Sequence, residues 1–204
     1  MIDVAFSLWN FKPDESAPFP SLFTYANGRY LATFAIVRPD EIEDLLVSLP
    51  ELDKHWDLIS PWIVKSDLAR LIYIYARGGF YFDSDCEILR PIQSVPDVAT
   101  LFTETILPST SVLGPREDKG PERRHRIANY AFGSQRPRNP FFKACIDECM
   151  CRLEQINYTA TTPQDILWVC GPDVVTSVYH THQFPVRLLG PNYVKHRAVG
   201  SWRA

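Results

Sequence analysis

Two aspartates, Asp83 and Asp85, have the spacing and chemistry to hold a divalent cation. In extended chain, residues two positions apart point to the same side, roughly 6–7 Å apart at Cα, so both carboxylates could reach one ion directly or through water. Oxygen ligands favour a hard ion such as Mg²⁺ or Mn²⁺, which keeps positions for water and substrate phosphates. An isolated pair of this kind is more often a solvated strand end. Here the pair follows the aromatic residues 80–82, and open α/β sheets bind ligands at the ends of such strands.

Asp67 and Arg70 form a second candidate pair upstream of these aspartates. Residues three positions apart share one face of a helix. A helix over residues 66–77 would place both in its first turn, where the helix dipole favours an acid. The alternative interpretation is an ordinary ion pair at a helix N-terminus.

The residues from 66 to 91 must position these four side chains. Ser66 is a suitable N-cap, and residues 68–75 are apolar at helical spacing. Gly78 and Gly79 stand where a left-handed C-cap is expected. Residues 80–82 are strand formers. The sequence therefore predicts a helix, a glycine turn, a short strand and an acidic tip.

The rest of the chain alternates between the periodicities of strands and helices. Strands are predicted over residues 2–8, 30–37, 98–102 and 127–132, and helices over 41–49, 140–156 and 173–182. Asn139 and Pro140 suit the N-cap and first position of the second of these helices. This alternation predicts an α/β fold with a mainly parallel central sheet flanked by helices. A chain of 204 residues fits a single domain over residues 1–204.

Composition excludes several classes of protein. The net charge of −3 gives no support for nucleic-acid binding through a broad basic face. No stretch approaches the ~18–20 apolar residues of a membrane span, and residues 1–10 do not resemble a signal peptide. The five cysteines are odd in number and lack C-x₂-C spacing, which indicates reduced thiols. We therefore expect a soluble cytoplasmic protein without a membrane span.

The pattern over residues 66–85 resembles the sugar-binding region of DXD-motif glycosyltransferases. It combines S-D-x-x-R, two glycines, an aromatic strand and D-x-D. That family includes fungal outer-chain mannosyltransferases and the catalytic domains of clostridial glucosylating toxins. The resemblance implies a GT-A type, Rossmann-like sandwich, a nucleotide-sugar donor, Mn²⁺ or Mg²⁺ as cofactor, and retention of anomeric configuration.

The resemblance also implies roles for the residues that match the motif. Asp67 and Arg70 would hold hydroxyl groups of the donor sugar. Asp83 would reach the ribose or sugar and, through water, the metal, and Asp85 would bind the metal directly. Trp9, at the end of the first predicted strand, would stack on or flank the nucleotide base, although the basic and histidine residues that the family has before this tryptophan are missing.

Two later segments resemble the family as well. Asn129 matches an asparagine near the anomeric centre or the acceptor, although a hydrogen-bonded strand asparagine explains it equally well. His196 is followed by Gly200-Ser201-Trp202, as in the family. The resemblance makes His196 or Ser201 a third protein contact to the metal, and Trp202 a contact to donor phosphate through its indole N–H. A lone histidine is more often structural.

Residues 116–126 are the densest charge cluster, and the Gly-Pro pairs at 114–115 and 120–121 predict a loop. Such a loop is usually solvated. The alternative is a mobile lid whose Arg123, Arg124 or Arg126 meets donor phosphates on closure. His180 and His182 are two positions apart, which is wrong for one helix face, so we expect a fraying helix end there and no metal site.

These features favour a metal-dependent retaining glycosyltransferase. The donor would be a nucleoside diphosphate sugar, UDP-linked in preference to GDP-linked, and the acceptor hydroxyl would belong to a glycan, a protein or a small molecule. One alternative is a non-catalytic module that binds a nucleotide sugar or a metal. Another is a haloacid-dehalogenase-like phosphatase. That class carries D-x-D near the N-terminus and needs a later lysine and acidic pair, whereas Asp83 is mid-chain and the sequence offers no convincing later acidic pair.

Overall fold

A computed structural model describes residues 2–14, 17–106 and 125–197. The strands within these ranges are β1 (Ile2–Leu8), β2 (Leu31–Val37), β3 (Gly79–Phe82), β4 (Cys86–Ile88), β5 (Ala99–Ile106), β6 (His125–Ser134), β7 (Val186–Leu189) and β8 (Val194–His196). The α-helices there are α1 (Ser21–Asn27), α2 (Pro39–Leu46), α3 (Pro50–Asp53), α4 (Trp62–Arg77), α5 (Pro140–Gln155), α6 (Pro163–Val169) and α7 (Pro172–Thr181).

In the described part of the chain, a six-stranded sheet has the order β2-β1-β3-β6-β5-β7. β1 is parallel to β2 and β3, and β5 is parallel to β7. β6 is antiparallel to both of its neighbours. The predicted α/β fold with a mainly parallel sheet is confirmed. Because β6 runs in the opposite direction, its N-terminal half extends past the C-terminal end of β3.

Side chains of β3 are buried on both faces of the sheet. Phe80 and Phe82 pack into one apolar cluster, with Phe23 of α1 and Phe102 of β5. Tyr81 belongs to the opposite cluster, to which α4, α5 and α7 contribute. This alternation follows from the two-residue period of a strand. It explains why a strand this short is apolar throughout, since both faces are covered.

The main helix of the site begins earlier than the sequence predicts. α4 starts at Trp62, with Pro61 as the N-cap residue, and Ser66 is a buried residue inside the helix. Ser66 as N-cap is therefore wrong, and Asp67 and Arg70 lie beyond the first turn, where the dipole contributes little. Burial of apolar residues such as Val64 extends the helix by one turn against the capping preference of the serine. Gly78 ends the helix at φ 73°, which confirms the predicted glycine stop.

Other properties of the described residues agree with the sequence. Asn139 caps α5, because its side-chain oxygen accepts a hydrogen bond from the backbone N–H of Phe141 at 3.0 Å. All five cysteines lie in the described ranges and are free. None of the helices described is long and apolar enough to cross a membrane.

Replacing Gly133 of β6 by alanine is expected to destabilise the fold by about 1–3 kcal/mol. A Cβ there would lie 2.5 Å from the ring of Phe80 and 2.8 Å from the carbonyl oxygen of Gly79, so a central strand would have to shift. Urea unfolding measures the change. Gly28→Ala is the matched control, because a Cβ at Gly28 meets nothing within 4 Å. Equal unfolding midpoints for the two variants would contradict the prediction.

Candidate active site

His196 is brought to the acidic tip by a two-stranded sheet formed by β4 and β8. Cys86, directly after the tip, pairs with His196 in this ladder. The His196 Nε2 atom lies 3.1 Å from Asp85 Oδ1 and 3.6 Å from Asp83 Oδ2. Its ring stacks on Tyr130, with the ring centroids 4.4 Å apart. Residues distant in sequence therefore form one cluster.

The side chains of Asp83, Asp85 and His196 can each direct one ligand atom to a common point. These atoms lie within 4.8 Å of one another, and no other such group occurs among the residues described. Two carboxylates and one imidazole suit a divalent ion such as Mn²⁺ or Mg²⁺. Three protein ligands leave further coordination positions of a six-coordinate ion for water or phosphate. The residue types thus fit the predicted cofactor, and their role as ligands stays a prediction.

A second cluster, formed by Asp67, Arg70 and Asn129, lies beside the first. Arg70 Nη2 donates a hydrogen bond to Asp67 Oδ1, which also accepts one from Asn129 Nδ2 at 3.1 Å. Arg70 Nη1 donates to the backbone carbonyl of Asn129 at 2.7 Å. All three residues are buried. The carboxylate of Asp67 is therefore held in one orientation by two donors from different elements.

Arg70 connects the two clusters. Its Nη1 atom lies 3.3 Å from Asp83 Oδ1, which also accepts a hydrogen bond from the Tyr81 hydroxyl. The guanidinium lies 4.7 Å from the centre of the Tyr81 ring, in cation–π geometry. Because these donors occupy Oδ1, the other oxygen of Asp83 is the one that faces His196.

Burial shifts the ionisation of the acids in these clusters. It raises the pKa of Asp67 to about 6, although the positive charge of Arg70 opposes the shift. Burial also raises the pKa of Asp83. For His196, burial lowers the pKa, but the hydrogen bond with Asp85 and the charges of Asp83 and Asp85 outweigh it and the pKa is raised. Such shifted groups in a cleft are typical of functional sites.

Both clusters line one cavity of about 600 Å³. Trp9, which follows β1, lines the same cavity. Its Nε1 donates a hydrogen bond to the carbonyl oxygen of Ala17 at 2.8 Å. An edge-on contact with Phe19 also holds the indole. The cavity thus unites the side chains of Trp9, Asp67, Arg70, Asp83, Asp85, Asn129 and His196.

Other predicted residues do not line this cavity or fall outside the described ranges. Ser201, Trp202 and residues 107–124 are outside the described residues. Arg126 lies in β6, and its guanidinium pairs with Glu104 at 2.8 Å and with Asp173 at 2.9 Å. His125 and Arg126 belong to a strand, because both pair with β5, so the expected loop over residues 116–126 is wrong for Arg126. His182 follows the end of α7, as expected for a helix terminus.

Three site residues were not singled out in the sequence: Tyr81, Glu104 and Tyr130. Tyr81 could have been found, because it lies two residues before Asp83 and so shares its side of the strand. Tyr130 and Glu104 gave no local signal. Tyr130 reaches the site because β6 pairs with β3, and Glu104 reaches it because β5 pairs with β6.

The Asp67→Asn variant is expected to gain stability over the wild type as pH rises. Since burial raises the carboxyl pKa from near 4 to about 6, the folded wild type binds a proton that the unfolded chain has lost. Wild-type stability relative to the variant therefore falls between about pH 4 and pH 7, by up to about 3 kcal/mol. Unfolding free energies of both proteins across this range measure the difference. A difference that changed in the opposite direction would mean that Arg70 dominates the ionisation of Asp67.

Comparison with known proteins adds independent information. Residues 14–107 match the family model of the glycosyltransferase sugar-binding region containing a DXD motif. This range includes Asp67, Arg70, Asp83 and Asp85 but excludes Trp9, Asn129 and His196. The chain is also similar to the initiation-specific alpha-1,6-mannosyltransferase of Saccharomyces cerevisiae, with 34% identity over 88 residues, which cover 38% of this chain and 18% of the yeast protein. The match thus spans less than a fifth of that relative.

The fold is shared with a solved glycosyltransferase structure. The PaToxG glycosyltransferase superposes with a TM-score of 0.55 and 15% identity, over 88% of this chain and 69% of that one. At this identity the likeness shows the fold alone. It agrees with the sandwich predicted from the sequence. Together with the D-x-D that follows β3, the family match identifies residues 14–107 as a glycosyltransferase sugar-binding region containing a DXD motif.

Proposed function

We propose that this protein transfers a sugar from a nucleoside diphosphate sugar to an acceptor hydroxyl, using Mn²⁺ or Mg²⁺ and retaining the anomeric configuration. The observation that carries this proposal is the convergence of Asp83, Asp85 and His196 beside Asp67 and its partners on one cavity. A diphosphate needs positive charge, and a sugar needs fixed hydrogen-bond acceptors. A metal ion held by the first cluster would supply that charge, and the carboxylate of Asp67 in the second cluster would supply an acceptor.

The metal would be held by Asp85 and His196, with Asp83 contributing through the oxygen that faces the histidine. When bound, it would neutralise charge that develops on the departing diphosphate. An imidazole nitrogen in the ligand set favours Mn²⁺ over Mg²⁺, which binds mainly oxygen.

Asp67 would accept hydrogen bonds from hydroxyl groups of the donor sugar. Its orientation is set before the sugar arrives, because Arg70 and Asn129 both donate to it. Arg70 is largely engaged with Asp67, Asp83 and the carbonyl of Asn129, so we assign it the positioning of these acceptors as much as a direct sugar contact. Hydrogen bonds to a charged acceptor in a buried site are the strong ones.

The remaining contacts are proposed from the family resemblance. Trp9 would flank the nucleotide base, and its fixed indole on the cavity wall is consistent with that role. Ser201 would contact the metal and Trp202 the donor phosphates. The acceptor proton would go to the leaving phosphate, since a retaining front-face transfer needs no separate protein base. UDP is the nucleotide that the resemblance favours.

The test is nucleotide release from UDP- and GDP-linked sugars in the presence of Mn²⁺, with chelator as the control. Mannose donors belong in the panel because the yeast relative is named a mannosyltransferase. Metal-dependent release from one donor supports the proposal and names that donor. Metal-dependent binding of UDP or GDP by calorimetry, without release even when acceptors are added, would favour a non-catalytic module. Absence of binding would overturn the proposal.

A further inference from the structure

Glu104 of β5 is an acid on the cavity wall that the proposed mechanism does not use. Its Oε2 atom lies 2.8 Å from Nε of Arg126, and Nη1 of that arginine lies 2.9 Å from Oδ1 of Asp173. The side chains of Glu104, Arg126 and Asp173 are 37%, 17% and 3% exposed. Of these three, Glu104 alone lines the cavity. The ion-pair chain therefore runs from the core outward and presents one carboxylate to the cavity.

The backbone of β5 is irregular around this residue. The pairing of β5 with β6 shifts register between Leu101 and Thr103 and again between Thr103 and Thr105. Such irregularities re-aim a side chain and are common next to active sites. Two features, one in the backbone and one in the side chains, thus fix Glu104 in its place.

The order of the strands places Glu104 on a definite side of the site. From one side of the sheet to the other, β1 leads to Trp9, β3 leads to Asp83, β6 carries Asn129, and β5 carries Glu104. Under the proposed function, on which this inference rests, the nucleotide lies on the Trp9 side of the metal ligands. The Glu104 side is then left for the acceptor.

The chemistry around Glu104 suits a neutral polyhydroxyl compound. Two carboxylates and one guanidinium give the ion-pair chain a net negative charge, which disfavours phosphate or another anion. A carboxylate accepts hydrogen bonds from hydroxyl groups. Pro172, adjacent to Asp173, and Leu167 line the same cavity and offer apolar contact to the C–H face of a sugar ring. We propose that Glu104 binds a hydroxyl group of a neutral carbohydrate acceptor and orients that acceptor toward the donor.

The experiment compares Glu104→Gln with the wild type, using the donor found in the panel and methyl α- and β-glycosides of glucose, mannose and galactose as acceptor probes. We expect the KM for the acceptor to rise about 10–100-fold, because a charged hydrogen bond is lost. Nucleotide release without acceptor should stay within about twofold of the wild type, because none of the proposed donor contacts involves Glu104. Glu104→Asp, which keeps the charge beside Arg126 but shortens its reach, should also raise this KM and guards against a folding defect of the first variant.

Glu148→Gln is the matched control. Glu148 makes the same kind of contact, 2.7 Å from Nε of Arg152, with a side chain 36% exposed, but it lies on α5 away from the cavity. We expect wild-type constants for it. The inference fails if both Glu104 variants keep the wild-type acceptor KM. It also fails if their acceptor-independent nucleotide release falls well below that of the wild type. A wild type that releases nucleotide but uses none of the methyl glycosides would contradict it as well. Absence of donor binding by the wild type would instead overturn the proposed function, and the inference with it.

Discussion

Asp85→Asn is expected to lower metal-dependent nucleotide release by at least about 100-fold while leaving the fold intact. Loss of a group that only orients a ligand typically costs 10–100-fold in metal affinity or activity, and Asp85 is placed as a ligand itself. An amide has the same shape but no charge, so it binds a divalent cation weakly. Removing the charge relieves repulsion with Asp83 but weakens the pair with His196, so the two effects oppose each other and we expect little net change in stability.

The measurement pairs nucleotide release with titration of Mn²⁺ by calorimetry. Mn²⁺ affinity should fall together with activity, and excess Mn²⁺ should restore part of the activity. Asp147→Asn is the control, because Asp147 is an exposed acid paired with Lys143 on α5 and should behave as the wild type. Near-normal Mn²⁺ affinity in Asp85→Asn would show that the ion, if it binds, is held elsewhere.

Chemistry within one short stretch could be predicted from the sequence. Asp67 and Arg70 share one helix face, as the helix period predicts. The expected extended chain over Asp83 and Asp85 is wrong, because these residues lie in a turn in which the backbone N–H of Cys86 donates to the carbonyl oxygen of Asp83 at 3.0 Å. The glycine stop at Gly78 is local as far as its positive φ is concerned, although the backbone of Arg136, 3.0 Å from where a Cβ would lie, also favours glycine there. In the structure Asp67 pairs with Arg70, and Asp83 lies close to Asp85, as the sequence predicts. The structure adds the distances and the burial of these side chains.

Contacts that depend on tertiary pairing could not be derived in this way. His196 meets the acidic tip because β8 pairs with β4, and Asn129 meets Asp67 because β6 runs antiparallel to β3. Spacing in the sequence contains no sign of either contact, and only the family resemblance pointed to these residues. Arg126 shows the opposite case. Its charge-rich segment predicts a solvated loop, but in the structure Arg126 lies in β6 and pairs with two acidic side chains.

Arg70 is the residue whose loss we expect to damage both stability and activity. Arg70→Met should lower the free energy of unfolding by about 3–5 kcal/mol, because it leaves the buried carboxylate of Asp67 without its countercharge and removes a donor from Asp83. Arg70→Lys should not rescue activity. A single ammonium group cannot reproduce the fork that reaches Asp67, Asp83 and the Asn129 carbonyl at once.

A double-mutant cycle with Asp67→Asn separates a specific pair from general packing. If the cost of Arg70→Met comes from an abandoned charge, the same substitution should cost markedly less in the Asp67→Asn background, with a coupling of about 1–3 kcal/mol. Arg136→Met is the control, because Arg136 and its partner Asp97 are both largely exposed and their pair should contribute no more than about 1 kcal/mol. Additive effects in the cycle would mean that Arg70 acts mainly through its packing on Tyr81. In that case Arg70→Met would leave Asp67 correctly oriented. The variant would then lose unfolding free energy but keep most of its activity.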